Sequence, residues 1–214
     1  MQIEILSSID MGENCYIVTD EKSGEALVID PGFFNSDLKE AIENKDIKYI
    51  LLTHGHFDHI AGVAKIKKLT GAKICIAEED EICLYDDEEN LAEMADELPI
   101  EKSKADIIIK EGDEIKIGDT GLCVMKTPGH SKGSVCYICK EERVIFSGDT
   151  LFKKTIGRTD FKTGDINEMY ATLKRLVDLD GDYAVFPGHG PETTLNDERV
   201  ANLYVRRMNK RMSE

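Results

Sequence analysis

The residues best suited to chemistry lie in one short stretch, from His54 to His59 (HGHFDH), which holds three of the five histidines and a carboxylate. Neutral imidazole and carboxylate are the ligands that zinc and similar first-row ions prefer. In an extended loop His54 and His56 point to the same side, because side chains alternate with period two. Asp58 and His59 follow where the chain turns into a helix, so they approach from another direction. This one loop therefore predicts ligands for two neighbouring metal positions.

Hydrophobic periodicity predicts the elements that hold this stretch. The apolar run 49–52 before it is typical of a buried strand, and the apolar residues of 60–69 recur as on one face of a helix. Functional groups are commonly displayed on loops between such elements. Three later strand ends repeat the arrangement, because an apolar run is followed each time by His130, Asp149 or His189.

The distribution of the histidines also points to a site. All five lie in these strand-end loops, and glycines flank His130 and His189, where they permit close approach of the backbone. Packing is an adequate explanation for either of these two histidines alone, but not for the whole set. In layered α/β folds, sites form where strand ends gather at one edge of a sheet. We therefore expect seven side chains to converge: His54, His56, Asp58, His59, His130, Asp149 and His189.

The order of the predicted elements indicates the fold class. Strands at 3–6, 14–19 and 26–29 lead into alternating helices and strands, and strands dominate again from residue 107. Two successive halves, each of strands and then helices, predict an α/β four-layer sandwich with two mixed sheets face to face and helices outside. We predict a single domain over residues 1–214. Within it we expect a helix at 37–44 capped by Ser36, a loop at 153–165 and one final helix at 196–212.

The most acidic segment, residues 78–101, interrupts this pattern. Its apolar residues recur at roughly helical spacing, which predicts an acidic helical insertion of two short surface helices. The charge run at its centre is typical of a solvated face. A lid over the site or a surface for a partner is the alternative.

Composition excludes several classes of protein. The chain has 214 residues, 41% of them apolar, so it can bury a sizeable core. Its net charge of -15 argues against binding to nucleic acid or to an anionic membrane, since both favour a basic face. No apolar run approaches the roughly 18 residues of a membrane span, and the first strand starts without a signal peptide. We expect a cytoplasmic protein with a small-molecule substrate, and a homo-oligomer is left open.

The six cysteines include one C-x-x-C pair, Cys136 and Cys139, whose spacing is compatible with a redox pair or half of a zinc site. The segment around them is typical of a strand, however, and residues three apart on a strand face opposite ways. No second C-x-x-C exists. We therefore expect reduced, buried cysteines that pack as small hydrophobic side chains.

The H-x-H-x-D-H motif at 54–59, followed in order by His130, Asp149 and His189, resembles that of the metallo-β-lactamase fold hydrolases. The resemblance covers almost the whole chain and implies a four-layer αββα fold with a dinuclear metal site. Asp30, in a D-P-G turn like that of the family, would then orient a ligand imidazole. The resemblance implies that His54, His56 and His130 hold the first metal, that Asp58, His59 and His189 hold the second, and that Asp149 bridges the two.

The chemistry of such a pair is hydrolysis. Two divalent ions about 3.5–4 Å apart need a bridging carboxylate and a bridging hydroxide, which forms because metal-bound water loses its proton near pH 7. The hydroxide attacks a carbonyl or similar electrophile. Asp58 binds a metal and can accept a hydrogen bond from the attacking water, so it is the predicted catalytic residue. Zinc is the first choice of metal, and iron and manganese suit the same ligands.

Within the family, the segments 146–152, 157–160 and 187–194 are similar to the glyoxalase II branch. This resemblance implies hydrolysis of S-2-hydroxyacyl thioesters of glutathione or of a bacterial thiol analogue. Asp149 occupies a position that is cysteine in the main antibiotic-hydrolysing class, which argues against a true β-lactamase. Only about 25 residues follow His189, which is too few for the glutathione-binding helical domain of full-length glyoxalase II.

Other interpretations remain open. Three cationic side chains follow the Asp149 loop and could bind an anionic thioester: Lys153, Lys154 and Arg158. Ordinary solvated surface charge explains them equally well. Persulfide dioxygenases are similar to this branch and share the turn 157–161, and this resemblance implies a single iron held by His54, His130 and Asp149. A lactonase with the same dinuclear site and a non-catalytic metal-binding protein are the remaining alternatives.

Overall fold

The computed structural model describes residues 1–8, 11–95 and 100–211, and it places them in four layers. Two six-stranded sheets face each other, and helices pack on the outer face of each sheet. The α/β four-layer sandwich predicted from the sequence is therefore confirmed. No helix within the described ranges is both long and apolar enough to cross a membrane.

The first sheet is built from the first half of the chain, in sequential strand order. Neighbours are antiparallel from β1 to β3 and parallel from β3 to β6. The parallel half arises because helices connect these strands, as expected for crossover connections. The strands are β1 (Gln2–Ser7), β2 (Asn14–Thr19), β3 (Glu25–Ile29), β4 (Asp46–Leu51), β5 (Lys73–Ala77) and β6 (Ile107–Ile109).

The second half of the chain supplies the remaining strands: β7 (Glu114–Ile117), β8 (Thr120–Lys126), β9 (Val135–Cys139), β10 (Val144–Gly148), β11 (Leu151–Phe152), β12 (Thr155–Ile156), β13 (Ala184–Pro187) and β14 (Thr193–Thr194). The second sheet has the order β14-β13-β10-β9-β8-β7, and β11 pairs with β12 in a separate hairpin. Because β9 is antiparallel to both β8 and β10, and β10 is parallel to β13, three strands run in one direction. The carboxyl ends of β8, β10 and β13 therefore meet at one edge.

Within the described residues, six α-helices form the outer layers: α1 (Ser36–Glu43), α2 (Phe57–Ile60), α3 (Val63–Thr70), α4 (Ile166–Val177), α5 (Leu195–Ala201) and α6 (Leu203–Arg211). The first three pack on the first sheet and the last three on the second. Between the sheets lies a third apolar core, which includes the rings of Tyr137, Phe146 and Phe186. Each sheet is thus covered on both faces, and its strands have near-continuous apolar runs.

The six cysteines are free. Cys136 packs in the core between the second sheet and its helices, whereas Cys139 packs in the core between the sheets. The prediction that the C-x-x-C pair faces opposite ways is confirmed, because both residues lie on strand β9. Neither a disulfide nor a shared metal site can form between them.

Three local predictions need correction. The cap of α1 is Asn35, whose Oδ1 accepts a hydrogen bond from the Leu38 amide, and not Ser36. The final helix is two helices, because Asn202 adopts an extended conformation and its Oδ1 accepts from the Tyr204 amide. The predicted loop 153–165 contains strand β12, which forms a hairpin with β11.

The acidic segment has helical turns that are tighter than those of an α-helix. Glu78–Leu84 and Ala92–Ala95 are 3-10 helices, so the two short helices predicted here are present, although the first buries Asp80, Cys83 and Leu84 and does not lie wholly on the surface. Residues 96–99 of the predicted insertion lie outside the described residues. The segment follows β5 directly, so its first turn starts close to the loop that follows β4.

Candidate metal centre

All five imidazoles lie together at one edge of the two sheets. The ring centroid of His54 lies 4.6 Å from that of His56, 4.8 Å from that of His130 and 4.2 Å from that of His59. The ring of His189 lies 5.3 Å from that of His59. The convergence predicted from the four strand-end loops is therefore observed.

Three imidazoles form the first cluster: His54, His56 and His130, whose ligand atoms lie within 4.8 Å of one another. The Nε2 atom of His130 lies 2.9 Å from the Nδ1 atom of His56. The other nitrogen of His130, Nδ1, donates to the carbonyl of Arg158 at 2.8 Å, which turns Nε2 toward the cluster. This orientation through the second nitrogen is typical of metal-binding histidines.

The second cluster contains two imidazoles and a carboxylate: Asp58, His59 and His189. The Oδ2 atom of Asp58 lies 3.3 Å from Nε2 of His189 and 3.9 Å from Nε2 of His59. His59 and Asp58 are adjacent in the short helix α2, while His189 comes from the loop after β13. The set offers mixed nitrogen and oxygen ligands, which suit first-row divalent ions.

Asp149 lies between the two clusters. Its Oδ2 atom is 3.5 Å from Nε2 of His130 in the first cluster and 3.7 Å from Nε2 of His189 in the second. Its Oδ1 atom is 3.5 Å from Nε2 of His59. Gly188 permits this position, because a Cβ atom there would lie 2.3 Å from Oδ1 of Asp149. One carboxylate thus reaches ligand atoms of both clusters, as a bridging ligand must.

Asp30 acts behind the clusters, as the D-P-G resemblance implied. Its Oδ2 atom lies 3.1 Å from Nδ1 of His59, so the His59 ring directs Nε2 into the site. The carboxylate also accepts from the Thr53 amide at 2.7 Å and from the Thr53 hydroxyl at 2.5 Å. The backbone of Asp30 has a φ of +48°, a left-handed conformation that aims its side chain at the loop after β4.

The donor set fits divalent metal ions. Nε2 of His54 and Oδ1 of Asp149 are buried without a hydrogen-bond partner in the described part of the chain. Burial, with the neighbouring imidazoles, holds the pKa of His54 well below its usual value and lowers the pKa of His56 to about 3. These rings are therefore neutral and keep a free lone pair. Buried lone pairs that face one another are costly unless a cation satisfies them.

A cavity of about 430 Å³ opens over both clusters. Its walls are apolar side chains from four separate segments: Phe57, Leu91, Phe152 and Phe161. Arg158 lies at this cavity with its guanidinium 4.0 Å from the ring centroid of Phe161, whereas Lys153 is exposed and is not one of the residues that line it. Of the three candidates for binding a substrate anion, Arg158, Lys153 and Lys154, only Arg158 lines the cavity. Arg158 also forms a bidentate pair with Asp160.

Two buried acids at the site had no signal in the sequence analysis. Glu13 is fully buried, and its carboxyl accepts a long, 3.4 Å hydrogen bond from the Gly32 amide. Burial raises the pKa of Glu13 to about 9. Asp80, from the acidic segment, accepts hydrogen bonds from the loops that carry the first cluster. Both residues lie in polar stretches, and only the tertiary contacts reveal that they are buried.

Asn14 and Tyr16 of β2 hold the loop that carries His189. The side-chain amide of Asn14 donates to the carbonyls of Pro187 and Gly190, and the Tyr16 hydroxyl donates to the carbonyl of Pro187. These two side chains therefore fix the end of β13 against the first sheet.

A sequence model of the Metallo-beta-lactamase superfamily matches residues 9–189. The chain belongs to this superfamily. Among its curated relatives, an uncharacterized protein of Aquifex aeolicus is 36% identical over 207 residues, which are 96% of this chain and 97% of the relative. The Haemophilus influenzae protein named hydroxyacylglutathione hydrolase GloC is 32% identical over 212 residues, which are 96% and 98% of the two chains.

Solved structures of the superfamily share the whole fold. The structure of BLEG-1 B3 metallo-beta-lactamase has a TM-score of 0.89 at 31% identity and covers 95% of this chain and 99% of that one. TTHA1623 in a di-iron-bound form has a TM-score of 0.82 at 32% identity, with 94% and 99% covered. ETHE1 from Myxococcus xanthus has a TM-score of 0.79 at 25% identity, with 98% and 90% covered. The chain is thus a metallo-β-lactamase-fold hydrolase with glyoxalase II-like relatives and with His/Asp clusters suited to divalent metals.

Proposed function

We propose that this protein is a dinuclear, metal-dependent hydrolase of small thioesters, with zinc as the first choice of metal. One observation carries the proposal: Asp149 reaches ligand atoms of both clusters at the floor of a single cavity. A relative named hydroxyacylglutathione hydrolase supports the thioester as substrate. An S-2-hydroxyacyl thioester of glutathione or of another small thiol is the expected class.

When bound, the two metal ions supply a water molecule that ionises near neutral pH and an electrophilic centre for the substrate carbonyl. The residues of the chain supply geometry and proton transfer. Burial alone would raise the pKa of Asp58. The imidazoles of His59 and His189 outweigh burial and hold this pKa below its usual value, so the carboxylate is ionised. Asp58 can therefore accept a hydrogen bond from the attacking water and orient it. The apolar walls exclude other water, and Arg158 is placed to meet an anionic group of the substrate.

A single-iron persulfide dioxygenase is the second candidate, and one observation favours it. The turn 157–161, which resembles that of persulfide dioxygenases, lies against the first cluster, with the ring of Phe161 5.3 Å from that of His56 and 6.1 Å from that of His130. The intact second cluster favours the hydrolase, because a mononuclear site would not use Asp58 or His189. A lactonase would use the same two clusters.

The test is a substrate panel on protein reconstituted separately with zinc, iron and manganese. The panel holds hydroxyacyl thioesters of two thiols, a lactone, a β-lactam and glutathione persulfide with oxygen uptake recorded. Thioester cleavage with about two metals per chain supports the proposal. Oxygen uptake on persulfide with one iron per chain would replace it with the dioxygenase. The β-lactam is included because a structural neighbour is a B3 metallo-beta-lactamase, while the Asp149 argument against that activity is still a prediction.

A further inference from the structure

Asp80 is a buried carboxylate, 3% exposed, in the first turn of the acidic segment. Its Oδ2 atom accepts hydrogen bonds from the Gly55 amide at 3.0 Å and from the Ser131 hydroxyl at 2.7 Å. Its Oδ1 atom accepts from the Gly133 amide at 2.8 Å. Both carboxylate oxygens are therefore engaged by groups from two separate loops.

Those two loops carry the first metal cluster. Gly55 lies between His54 and His56, and Ser131 follows His130 directly. Asp80 itself belongs to neither loop, since it lies beyond α3 and β5 in the chain. One side chain thus bonds to the backbone amide between His54 and His56, to the hydroxyl of the residue after His130 and to the Gly133 amide in the same loop.

Two glycines make room for this contact. A Cβ atom on Gly133 would lie 2.5 Å from Cγ of Asp80, and a Cβ atom on Gly55 would lie 2.5 Å from Cβ of Cys83 and 3.0 Å from the Asp80 carbonyl oxygen. Real Cβ atoms do not approach other atoms so closely. Each loop therefore has glycine at the position where the acidic segment packs against it.

The arrangement parallels that of Asp30 at the second cluster. Asp30 also accepts hydrogen bonds from a backbone amide and a hydroxyl, both of Thr53 in a ligand-bearing loop. It orients His59 directly. A buried carboxylate thus lies behind each cluster, on an element outside the ligand loops. Groups that hold ligands in this way commonly change metal affinity 10- to 100-fold when they are removed.

We propose that Asp80 is the positioning residue of the first metal site: by joining the loops of His54, His56 and His130, it sets their spacing and so the affinity of that site. The inference rests on the metal-binding part of the proposed function. It gives the acidic segment a role in the site, where the charge pattern indicated a solvated face.

The test compares Asp80→Asn with Asp20→Asn in the metal-free and metal-loaded protein. An amide at position 80 cannot accept all three hydrogen bonds, because its NH2 group faces donors. Asp20 is a matched control, since it is 4% exposed and accepts from the Ser23 amide, the Ser23 hydroxyl and the Thr120 hydroxyl. Asp20 follows the last residue of β2, whereas Asn14, which contacts the loop of His189, is the first. Asp20 therefore lies roughly 20 Å along the strand from Asn14.

Binding of Co²⁺ is measured by chelator competition and by its visible absorption spectrum, with thermal unfolding of each metal-free variant recorded in parallel. In the His59→Ala background, which retains the first cluster, Asp80→Asn should weaken the remaining Co²⁺ affinity by about 10- to 100-fold and change its spectrum. Asp20→Asn should lower the unfolding temperature but leave affinity and spectrum unchanged. Ser131→Ala removes one of the three hydrogen bonds and should weaken Co²⁺ affinity a few-fold. This variant replaces Asp80→Asn in the comparison if Asp80→Asn does not fold.

Equal Co²⁺ affinities in the parent, Asp80→Asn and Ser131→Ala proteins would overturn the proposal, as would an equal loss in Asp20→Asn. The readout needs no substrate. Absence of thioester cleavage with the affinity contrast intact would therefore refute only the proposed function.

Discussion

At the scale of single residues, protons and metal ions compete for the same atoms. The neutral rings of His54 and His56 are available to a metal without losing a proton. For His59 and His189 burial opposes protonation, but the carboxylates of Asp58 and Asp149 raise the pKa of both imidazoles. Metal binding at the second cluster must therefore displace protons, so its affinity should fall more steeply at acidic pH than that of the first cluster.

Glu13 gives a pH-dependent prediction for the stability of the metal-free protein. Its folded-state pKa of about 9 lies above that of the unfolded chain, because the buried carboxyl is easier to keep neutral than to ionise. The contribution of neutral Glu13 to the unfolding free energy is fully present below the pKa that this carboxyl has in the unfolded chain. It is lost as pH rises toward 9, by at most about 1.4 kcal/mol per pH unit. Glu13→Gln should therefore stabilise the metal-free protein increasingly from pH 5 to pH 9, as followed by urea unfolding.

The neutral amide of Glu13→Gln has no proton to lose in this range, so the variant lacks that part of the pH dependence. Glu4→Gln is the control, because Glu4 is a partly exposed residue of β1 whose carboxylate pairs with Lys45. A constant difference in unfolding free energy between the wild-type protein and Glu13→Gln across this range would contradict the prediction.

At the scale of elements, the acidic segment forms one wall of the cavity. Leu91 lines the cavity although its φ of +69° is a left-handed conformation that disfavours leucine by about 1 kcal/mol. Its neighbour Asn90 is buried, and the Asn90 carbonyl accepts a hydrogen bond from the Phe57 amide, next to His56. The backbone here is held against the loop that carries His56, and the strained residue presents an apolar side chain to the cavity.

Leu91→Gly should therefore leave stability within about 1 kcal/mol, because relief of the left-handed conformation offsets the greater freedom of glycine in the unfolded chain. The same change should reduce discrimination between thioesters of different acyl size by about tenfold, measured as ratios of kcat/KM. Ile82→Ala, an exposed position in the same segment, should alter neither quantity. Unchanged ratios in Leu91→Gly would show that this wall does not contact the substrate.

The start of α1 gives a second prediction at this scale. Asn35→Ala removes the side chain that accepts from the Leu38 amide and should cost about 1 kcal/mol of stability. Ser36→Ala should cost little, because the Ser36 hydroxyl bonds to no described residue but Asp37, whose carboxylate is exposed. Thermal unfolding of both variants checks the difference. Equal losses would contradict the cap assignment.

The sequence predicted most strands and helices because their apolar runs are unambiguous, as for β4 and α4. It failed where two adjacent residues are equally suited to one role, as Asn35 and Ser36 are to capping. It also failed at Asn202, where a single side chain caps a new helix in an otherwise periodic run. Local pattern does not contain these choices, since packing of neighbouring elements decides them.

At the scale of the whole molecule, the site is formed by bonds between the two sheets. The Val135 amide at the start of β9 donates to the Thr53 carbonyl, and the Asn14 amide donates to the Gly188 carbonyl, both between sheets. These contacts place the loop after β4 beside those after β8, β10 and β13. The fold therefore brings together candidate ligands that are up to 135 residues apart in the sequence, from His54 to His189.

The candidate ligands could be predicted because histidine is rare in this chain and each one follows an apolar strand. The supporting residues could not. Asp80 lies among acids that are typical of a solvated surface, and Glu13 follows a polar turn, so neither differs in sequence from an exposed carboxylate. Their burial depends on contacts between the two halves of the chain or between an insertion and the core.

The most direct test of the dinuclear account is metal content and thioester turnover, measured on the same samples of wild-type protein and His59→Ala. The account predicts about two metal ions per chain and active hydrolysis in the wild-type protein. In His59→Ala it predicts about one ion, a fold that is retained by circular dichroism, and a loss of at least about 100-fold in kcat. Full thioester hydrolysis by His59→Ala with a single bound ion would contradict it.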